Sequence, residues 1–591
     1  MLECKQLNKK NNFLADYLPI VFLIILALII RLYKLDEIPP GNWYDEAING
    51  LDALSILKAK FPPVFFMTEG HPREALFMYL ILLNFKIFGI SYITLRLTSI
   101  IIGTITILFC YLFTKEFFDK RTAFLSALIL AFLRWHIHFS RTSFRTILTP
   151  LFLLLVFYFL KKGIKNKKTI LFIISGICFG LGFHTYLAFR LSIIILIIYL
   201  FSEIQKCRRG IYASPTTIIE KSQIESTEKQ PTLLKNEIDS SALPPHNDTT
   251  NTVILSEAKN LVILWRAQIK QYSKHILLFI ISAFIIFLPL LIDYVINPIH
   301  FLGRADEISL FKNGFVSGIK EILLNIKNVA MMFAFKGDHV AKHNIPLMPV
   351  FEPLTAILFY LGLTISICNA GVTPAVADRM SALPILKIRQ SSSYLLIISW
   401  FFIMLLATIL SYGSPNMLRT VSITPVLAIF IAIGLLAITD KLKRKFSPQL
   451  SIIIIIIFIM YFASVELYRY FFIWAKHPQT YLEFNSNFAD AARTLNELDE
   501  NTTIFVYEPL FKHPTFDFET INHKSKYATF TRKENGEFQF SKEPSKGSLI
   551  LATDWDLIYN LYLRNYYPDG KIIGGFKLPN GYLWAVVFQV N

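Results

Sequence analysis

The sequence predicts a polytopic α-helical membrane protein, with about eleven transmembrane helices, juxtamembrane helices in its first outer loop and a small C-terminal α/β domain. Three observations predict it. Of 591 residues, 54% are hydrophobic and only 17% charged; a soluble domain of this size has too few interior positions to hide so much apolar surface. Apolar runs close to the length needed to cross a bilayer recur along the chain. After residue 470 these runs stop, and short β-like segments separated by turn residues replace them.

Candidate spans fall at 17–35, 94–113, 122–139, 147–160, 169–187, 190–202, 275–296, 353–369, 393–411, 420–439 and 449–468. The stretch 74–90 is apolar but carries Asn84 and Lys86. Charge bias decides how it is read. If 74–90 stays on the membrane surface and the N-terminus is cytoplasmic, several basic blocks face the cytoplasm together: Lys115/Lys120/Arg121, Lys161 to Lys168, the loop 203–273, Arg379/Lys387/Arg389 and Lys441 to Lys445. A crossing at 74–90 would place every later block outside. The expected protein is therefore a multi-pass cell-membrane protein with a cytoplasmic N-terminus and an extracytoplasmic C-terminal domain.

This topology divides the chain into a transmembrane domain, 1–469, and an outer α/β domain, 470–591. Four regions lie outside: the first loop 36–93, the turn Ser140 to Arg145, the large loop 297–352 and the tail. The polar loop 203–273, rich in Ser, Thr, Glu and Lys, reads as disordered. The tail opens with a helical pattern over 481–498. Strand-like runs follow at 502–507, 547–553, 571–578 and 582–590.

The net charge of +17 does not indicate nucleic acid, because the cations sit in short blocks between spans and no nucleic-acid motif accompanies them. The cysteines (Cys4, Cys110, Cys178, Cys207, Cys368) form no CxxC or His/Cys cluster, so neither a zinc site nor a disulfide framework is expected. No cofactor is required by the sequence.

Candidate chemistry concentrates in the first outer loop. In "IPPGNWYDEAINGLDALSILKAK" Asp45 and Glu46 follow the first span, and Ile48, Leu51, Leu54 and Leu57 recur at helical spacing. The pattern gives an amphipathic helix on the bilayer whose start holds two carboxylates. An N-cap Asp with Glu in the first turn is equally an ordinary helix start, and the two readings are compatible. "TEGHPREALFMYL" follows, with Pro72 suited to a first helical turn and Arg73 beside it. An arginine at a helix entrance can hold a phosphate; it can equally bind lipid headgroups.

"YDEA" followed by "GHPREALFMYL", after a single span, resembles the glycosyltransferase C superfamily, in the branch of protein O-mannosyltransferases and lipid A aminoarabinose transferases. The resemblance continues through "SYITLRLTSIIIG", the Ser140-Arg141 turn, "NIPLMPVFEPLTAILFYLGL" and "LRTVSITPVLAIF", in order over roughly 17–470. There are departures. The second helix opens His71-Pro72-Arg73-Glu74 rather than His-Pro-Pro-Leu. The stretch "RTSFRTILTP" has Arg145 where many relatives carry an Asp, so a second carboxylate from that turn is in doubt.

The resemblance implies transfer of a sugar from a polyprenyl-phosphate donor to a protein, lipid or glycan acceptor at the outer membrane face, with inversion. Asp45 would be the general base, assisted by Glu46. Arg73, Arg141, Arg304 and Arg419 would be candidates to bind the donor phosphate. His71, Glu74, Arg145, His184 and His343 are further possible contacts to donor or acceptor. Asp338, His339 and His343 have poor spacing for a metal site, and no metal site is assigned. The alternative is a polytopic transporter or lipid-linked sugar flippase. Against it, the spans are nearly free of charge and carry no visible repeat.

Overall fold

A computed structural model describes residues 18–68, 71–205, 249–307, 309–312, 314–371, 391–533, 537–553 and 560–591. Among these residues, eight helices are long and apolar enough to cross a membrane. A ninth crossing is a bent pair, Lys120–Phe132 and Arg134–Arg141, kinked by 59°. Shorter apolar helices occupy Leu18–Leu32 and Thr169–Gly182. These helices lie at the positions of the eleven expected spans, and eight of them, or nine with the bent pair, are long and apolar enough to cross. Leu76–Phe88, of 13 residues, is a third short apolar helix and coincides with the stretch 74–90.

Local sequence sets the helix ends. Ser91 caps Tyr92–Phe117 by accepting from Thr94 N–H, and Asp119 caps Lys120–Phe132 by accepting from the N–H groups of Arg121 and Thr122. Proline opens Pro353–Gly371 and Pro448–Tyr468, where its missing N–H costs nothing. The helices Pro353–Gly371 and Thr424–Lys445 cross at Gly362 and Gly434. A Cβ on either would collide with backbone carbonyls of the facing helix.

Expectations for the connecting segments are partly corrected. The loop read as disordered over 203–273 is shorter than that, because helix Leu187–Gln205 runs to 205 and helix Thr249–Ile296 begins at 249. Residues 206–248 lie outside the described residues. The large loop 297–352 contains helices Pro298–Glu307 and Phe315–Met332, then an irregular stretch pinned by Asp338. The single helix read over 481–498 is two, Pro478–Glu483 and Ser486–Asn496, broken where Asn485 takes the left-handed conformation (φ 48°).

In the first loop, strands β1 (Phe65–Thr68) and β2 (His71–Glu74) form a small antiparallel hairpin. The tail folds around a six-stranded mixed sheet of β3 (Ile504–Tyr507), β4 (Tyr527–Arg532), β5 (Phe538–Phe540), β6 (Leu549–Thr553), β7 (Lys571–Lys577) and β8 (Leu583–Gln589), in the order β5-β4-β3-β6-β8-β7. The parallel pairs β3–β4 and β3–β6 lie at its centre. β4 and β5 escape the sequence pattern because neither is a long β-branched run. The Asp554-Trp-Asp556 string falls outside the described residues.

The loops converge at one end of the helix bundle. Ser143 N–H donates to Glu46, Lys342 Nζ lies 4.5 Å over the Trp43 ring, and Thr515 Oγ1 donates to Asn42 O at 2.8 Å. Residues 36–93, 140–145, 297–352 and 470–591 therefore share one side. The basic turn at Lys120 and the block Lys441 to Lys445 lie at the other.

Candidate active site

The site is built on α2, Tyr44–Ser55, which follows α1, Leu18–Leu32. The N-cap is Trp43, and Glu46 reaches back to accept from Trp43 N–H at 3.2 Å. Its other partners are Ser143 N–H at 2.6 Å and the Arg96 guanidinium at 3.4 Å, all fully buried. Arg96 also donates to the carbonyls of Pro39 and Gly41. Glu46 is thus a buried clamp joining α2, the loop before it and two later spans. Those partners hold its carboxylate in place, one residue from Asp45.

Asp45, one residue earlier, is the opposite case. It sits half-buried in the first turn of α2, where the helix dipole favours an anion. Among the described residues its carboxylate accepts no hydrogen bond and forms no ion pair. Asn49 and Asp52 follow it at i+4 and i+7, so all three share one helix face. Asn49 donates to Ser143 O at 2.9 Å.

That face leads to a balanced cluster of charges. Asp52 lies 3.4 Å from Arg73 and accepts from Thr68 Oγ1 at 2.9 Å; Arg145 lies 3.5 Å from Glu74. All four charged groups are buried or nearly so. Burial raises the Asp52 pKa, and Arg73, Thr68 and Arg145 pull it only part of the way back. Arg145 also stacks on Tyr186, 5.4 Å from its ring centre. Both ion-pair distances exceed those of tight charge-assisted hydrogen bonds. Arg73 stands in β2 rather than at the start of a helix, so the expected support from a helix dipole is absent. The hairpin and the Asp52 carboxylate position it instead.

The other expected site residues are dispersed. Arg141 is fully buried and donates to the carbonyls of Ile30 (3.1 Å), Arg31 (2.6 Å), Lys34 (3.2 Å) and Ile38 (2.8 Å). It caps the end of α1, and its expected phosphate role is corrected. Arg419 donates to Ser411 Oγ and to Tyr412 O, holding the turn before Thr424–Lys445. Arg304 lies in Pro298–Glu307, a helix packed beside the β1–β2 hairpin through stacking of His300 on Phe65 of β1 (4.6 Å); its side chain lies outside those described. The same holds for the side chain of His71, in β2.

His184 bonds Ile286 O at 3.0 Å through Nε2 at the turn after Thr169–Gly182. His343 is buried against Asp338 at 3.0 Å. Burial pushes Asp338 up, but His343 and the N–H groups of Met417 and Val340 outweigh it, so its pKa lies below the usual value. The pair pins the large loop to the turn at Met417 and anchors structure. Among the described residues, no three His, Cys, Asp or Glu side chains gather as a metal site requires.

Sequence reasoning missed Asp52, Arg96, Asn49 and Lys342. The i, i+4, i+7 spacing of Asp45, Asn49 and Asp52 was a readable signal. The partners of Arg96 and Lys342 come from distant segments and leave no local trace. The apolar stripe read on α2 also divides: Ile48 is buried, Leu51 and Leu54 are half-buried, and Leu57 is exposed.

Comparison with known proteins gives three findings. Residues 71–218 match the family model of dolichyl-phosphate-mannose-protein mannosyltransferases. No curated protein matches the chain. Among solved structures, the chain is similar to ArnT from Cupriavidus metallidurans bound to undecaprenyl phosphate, at 10% identity, covering 96% of this chain and 97% of that one, with a TM-score of 0.47. It is also similar to the oligosaccharyltransferase AglB from Archaeoglobus fulgidus in complex with an inhibitory peptide and a dolichol-phosphate, at 13% identity, covering 95% and 80%, with a TM-score of 0.43. The chain is a multi-span membrane protein whose stretch carrying Arg73, Glu74, Arg141 and Arg145 resembles the protein mannosyltransferase branch of the glycosyltransferase C superfamily, as its motifs anticipate.

Proposed function

We propose that this protein is a membrane glycosyltransferase that moves a sugar from a polyprenyl-phosphate donor to a hydroxyl-bearing acceptor at the extracytoplasmic membrane face, with Asp45 as general base. One observation carries the reading. Of two adjacent carboxylates, Glu46 is consumed by structure, while Asp45 is held rigidly beside it with no protein partner among the described residues. A base must be fixed in place yet free to accept a proton. The family match over 71–218 supports the same chemistry.

Asp45 takes the acceptor's O–H proton as that oxygen attacks the anomeric carbon. The bond from that carbon to the phosphate oxygen breaks, and the polyprenyl phosphate leaves with the electron pair. Attack from the face opposite the leaving group inverts the centre. Arg73 and Arg145, preset by Asp52 and Glu74, stabilise the phosphate charge.

The test is turnover of synthetic polyprenyl-phosphate sugars by the purified full chain in lipid. Asp45→Asn should lower the rate of polyprenyl-phosphate release by about 10²–10⁴-fold while donor binding persists. A variant that keeps its rate removes Asp45 from the mechanism. Absence of any sugar release by the wild type, with sugar-lipid transport intact and insensitive to Asp45, favours a flippase instead.

A further inference from the structure

The large loop holds a helix that the candidate site does not use. Phe315–Met332 opens at Gly314, whose left-handed backbone (φ 98°) turns the chain into it. The helix packs on the protein through one face. Gly318, Asn325, Val329 and Met332 are buried, and at 3.6 residues per turn they fall within about 60° of one another. Gly318 lets the Phe311 ring lie close, since a Cβ there would strike it.

A second apolar stripe runs beside that face. Phe315, Ile319, Leu323 and Ile326 are 71%, 41%, 63% and 47% exposed. Their i, i+4, i+8, i+11 spacing lines them up along one side of the helix, over roughly 16 Å. The remaining arc carries Ser317, Lys320, Glu321, Lys327 and Asn328, with Leu324 among them. The helix thus has three sectors: apolar and buried, apolar and exposed, and mainly polar.

Two contacts fix how the helix lies. Asn325 donates to Ile409 O at 2.9 Å and to Ser411 O at 3.1 Å, at the end of the span Ser391–Ile409. Seven residues later, Met332 O accepts from Val350 N–H, just before Pro353 opens the next span. Points roughly 10 Å apart on this helix therefore both meet span ends. The helix runs along the membrane plane rather than through it. Both span ends are on the side of Asp45, because the Met417 N–H that follows the first donates to Asp338 of the same loop.

We propose that the stripe Phe315/Ile319/Leu323/Ile326 is a lipid-surface binding site, immersed in the leaflet on the side of Asp45, that anchors the large loop to the bilayer. Position selects the occupant. The stripe lies where two spans leave the bilayer, at the level of their own exposed apolar residues Leu354, Ile357 and Leu410. Lys320 and Lys327 border the stripe on its polar side, where an interfacial helix sends long cationic side chains up to the headgroups. The anchor bears on the first outer loop, because the same large loop begins with Pro298–Glu307, whose His300 stacks on Phe65 of the β1–β2 hairpin.

The test is electron paramagnetic resonance of nitroxides on the full chain, made cysteine-free and reconstituted one copy per phosphatidylcholine nanodisc. Labels on Ile319→Cys and Leu323→Cys should collide with oxygen more than with a water-soluble nickel chelate, at a depth of about 5–10 Å into the headgroup–acyl boundary. A label on Asn328→Cys should show the reverse. Ile319 and Leu323 are exposed, so the labels leave the packed face intact; circular dichroism and gel filtration confirm that each variant is folded. Equal access of nickel to Leu323→Cys and Asn328→Cys overturns the proposal, because the stripe then lies in water. Protection of Leu323→Cys from both reagents also overturns it, because protein then covers the stripe. Neither readout depends on sugar transfer.

Discussion

Asp45 and Glu46 are neighbours with opposite fates, and the reason is one residue of helical rotation. A 100° step turns Glu46 into the protein, where Arg96 and the Ser143 N–H meet it, and leaves Asp45 half-buried. The pair Glu46–Arg96 is fully buried, so removing one partner strands a charge. Glu46→Gln or Arg96→Met should destabilise the protein by roughly 3–5 kcal/mol. Thermal unfolding in detergent would show this as a lower Tm even with Asp45 intact. If either variant melts like the wild type, the clamp is not structural.

A second residue-scale effect concerns pH. His513 packs against Tyr44 and Phe488, with ring centres 5.3 and 4.6 Å away, and burial depresses its pKa to about 4. A histidine with a depressed folded pKa is neutral in the native state while the unfolded chain still binds a proton. Its contribution is therefore complete above the unfolded value, near 6.5, and is lost as pH falls toward about 4. The Tm should drop across that window, and His513→Gln should flatten the drop.

Among the elements, the short helix Pro514–Glu519 of the tail lies directly on α2. The contact depends on Gly50, because a Cβ there would strike the Phe518 ring. Thr515 donating to Asn42 O and Arg493 lying 4.0 Å over the Tyr92 ring fix the same contact from its sides. Gly50→Ala should cost about 1–3 kcal/mol through overpacking, and Phe518→Leu in the same chain should recover part of it. A double-mutant cycle read by Tm checks this; strictly additive effects would mean that the two elements do not press on each other.

For the whole molecule, the arrangement of loops makes a topological prediction. The first loop, the large loop and the tail share one end of the bundle, while Lys120 and the block Lys441 to Lys445 share the other. In a cysteine-free background, cysteines placed at Leu57 and at Lys512 should react together with a membrane-impermeant maleimide on intact cells. A cysteine at Lys443 should react only after the membrane is opened. Labelling of Lys443 alone on intact cells would invert the proposed orientation.

The many-helix membrane architecture and the α/β character of the tail are legible in the chain itself. Hydrophobic runs and charge bias are local quantities, and lipid as solvent makes them decisive. The sequence also marks Arg73, Glu74 and Arg145 as chemically interesting. It cannot say that Asp52 and Glu74 hold those arginines, that Arg141 is spent on backbone carbonyls, or that Glu46 is locked. Those outcomes depend on partners tens of residues away, and 110 away for Arg141 and Arg31. In a low-dielectric interior a charged side chain takes its role from the partner it finds, and only the tertiary fold chooses that partner.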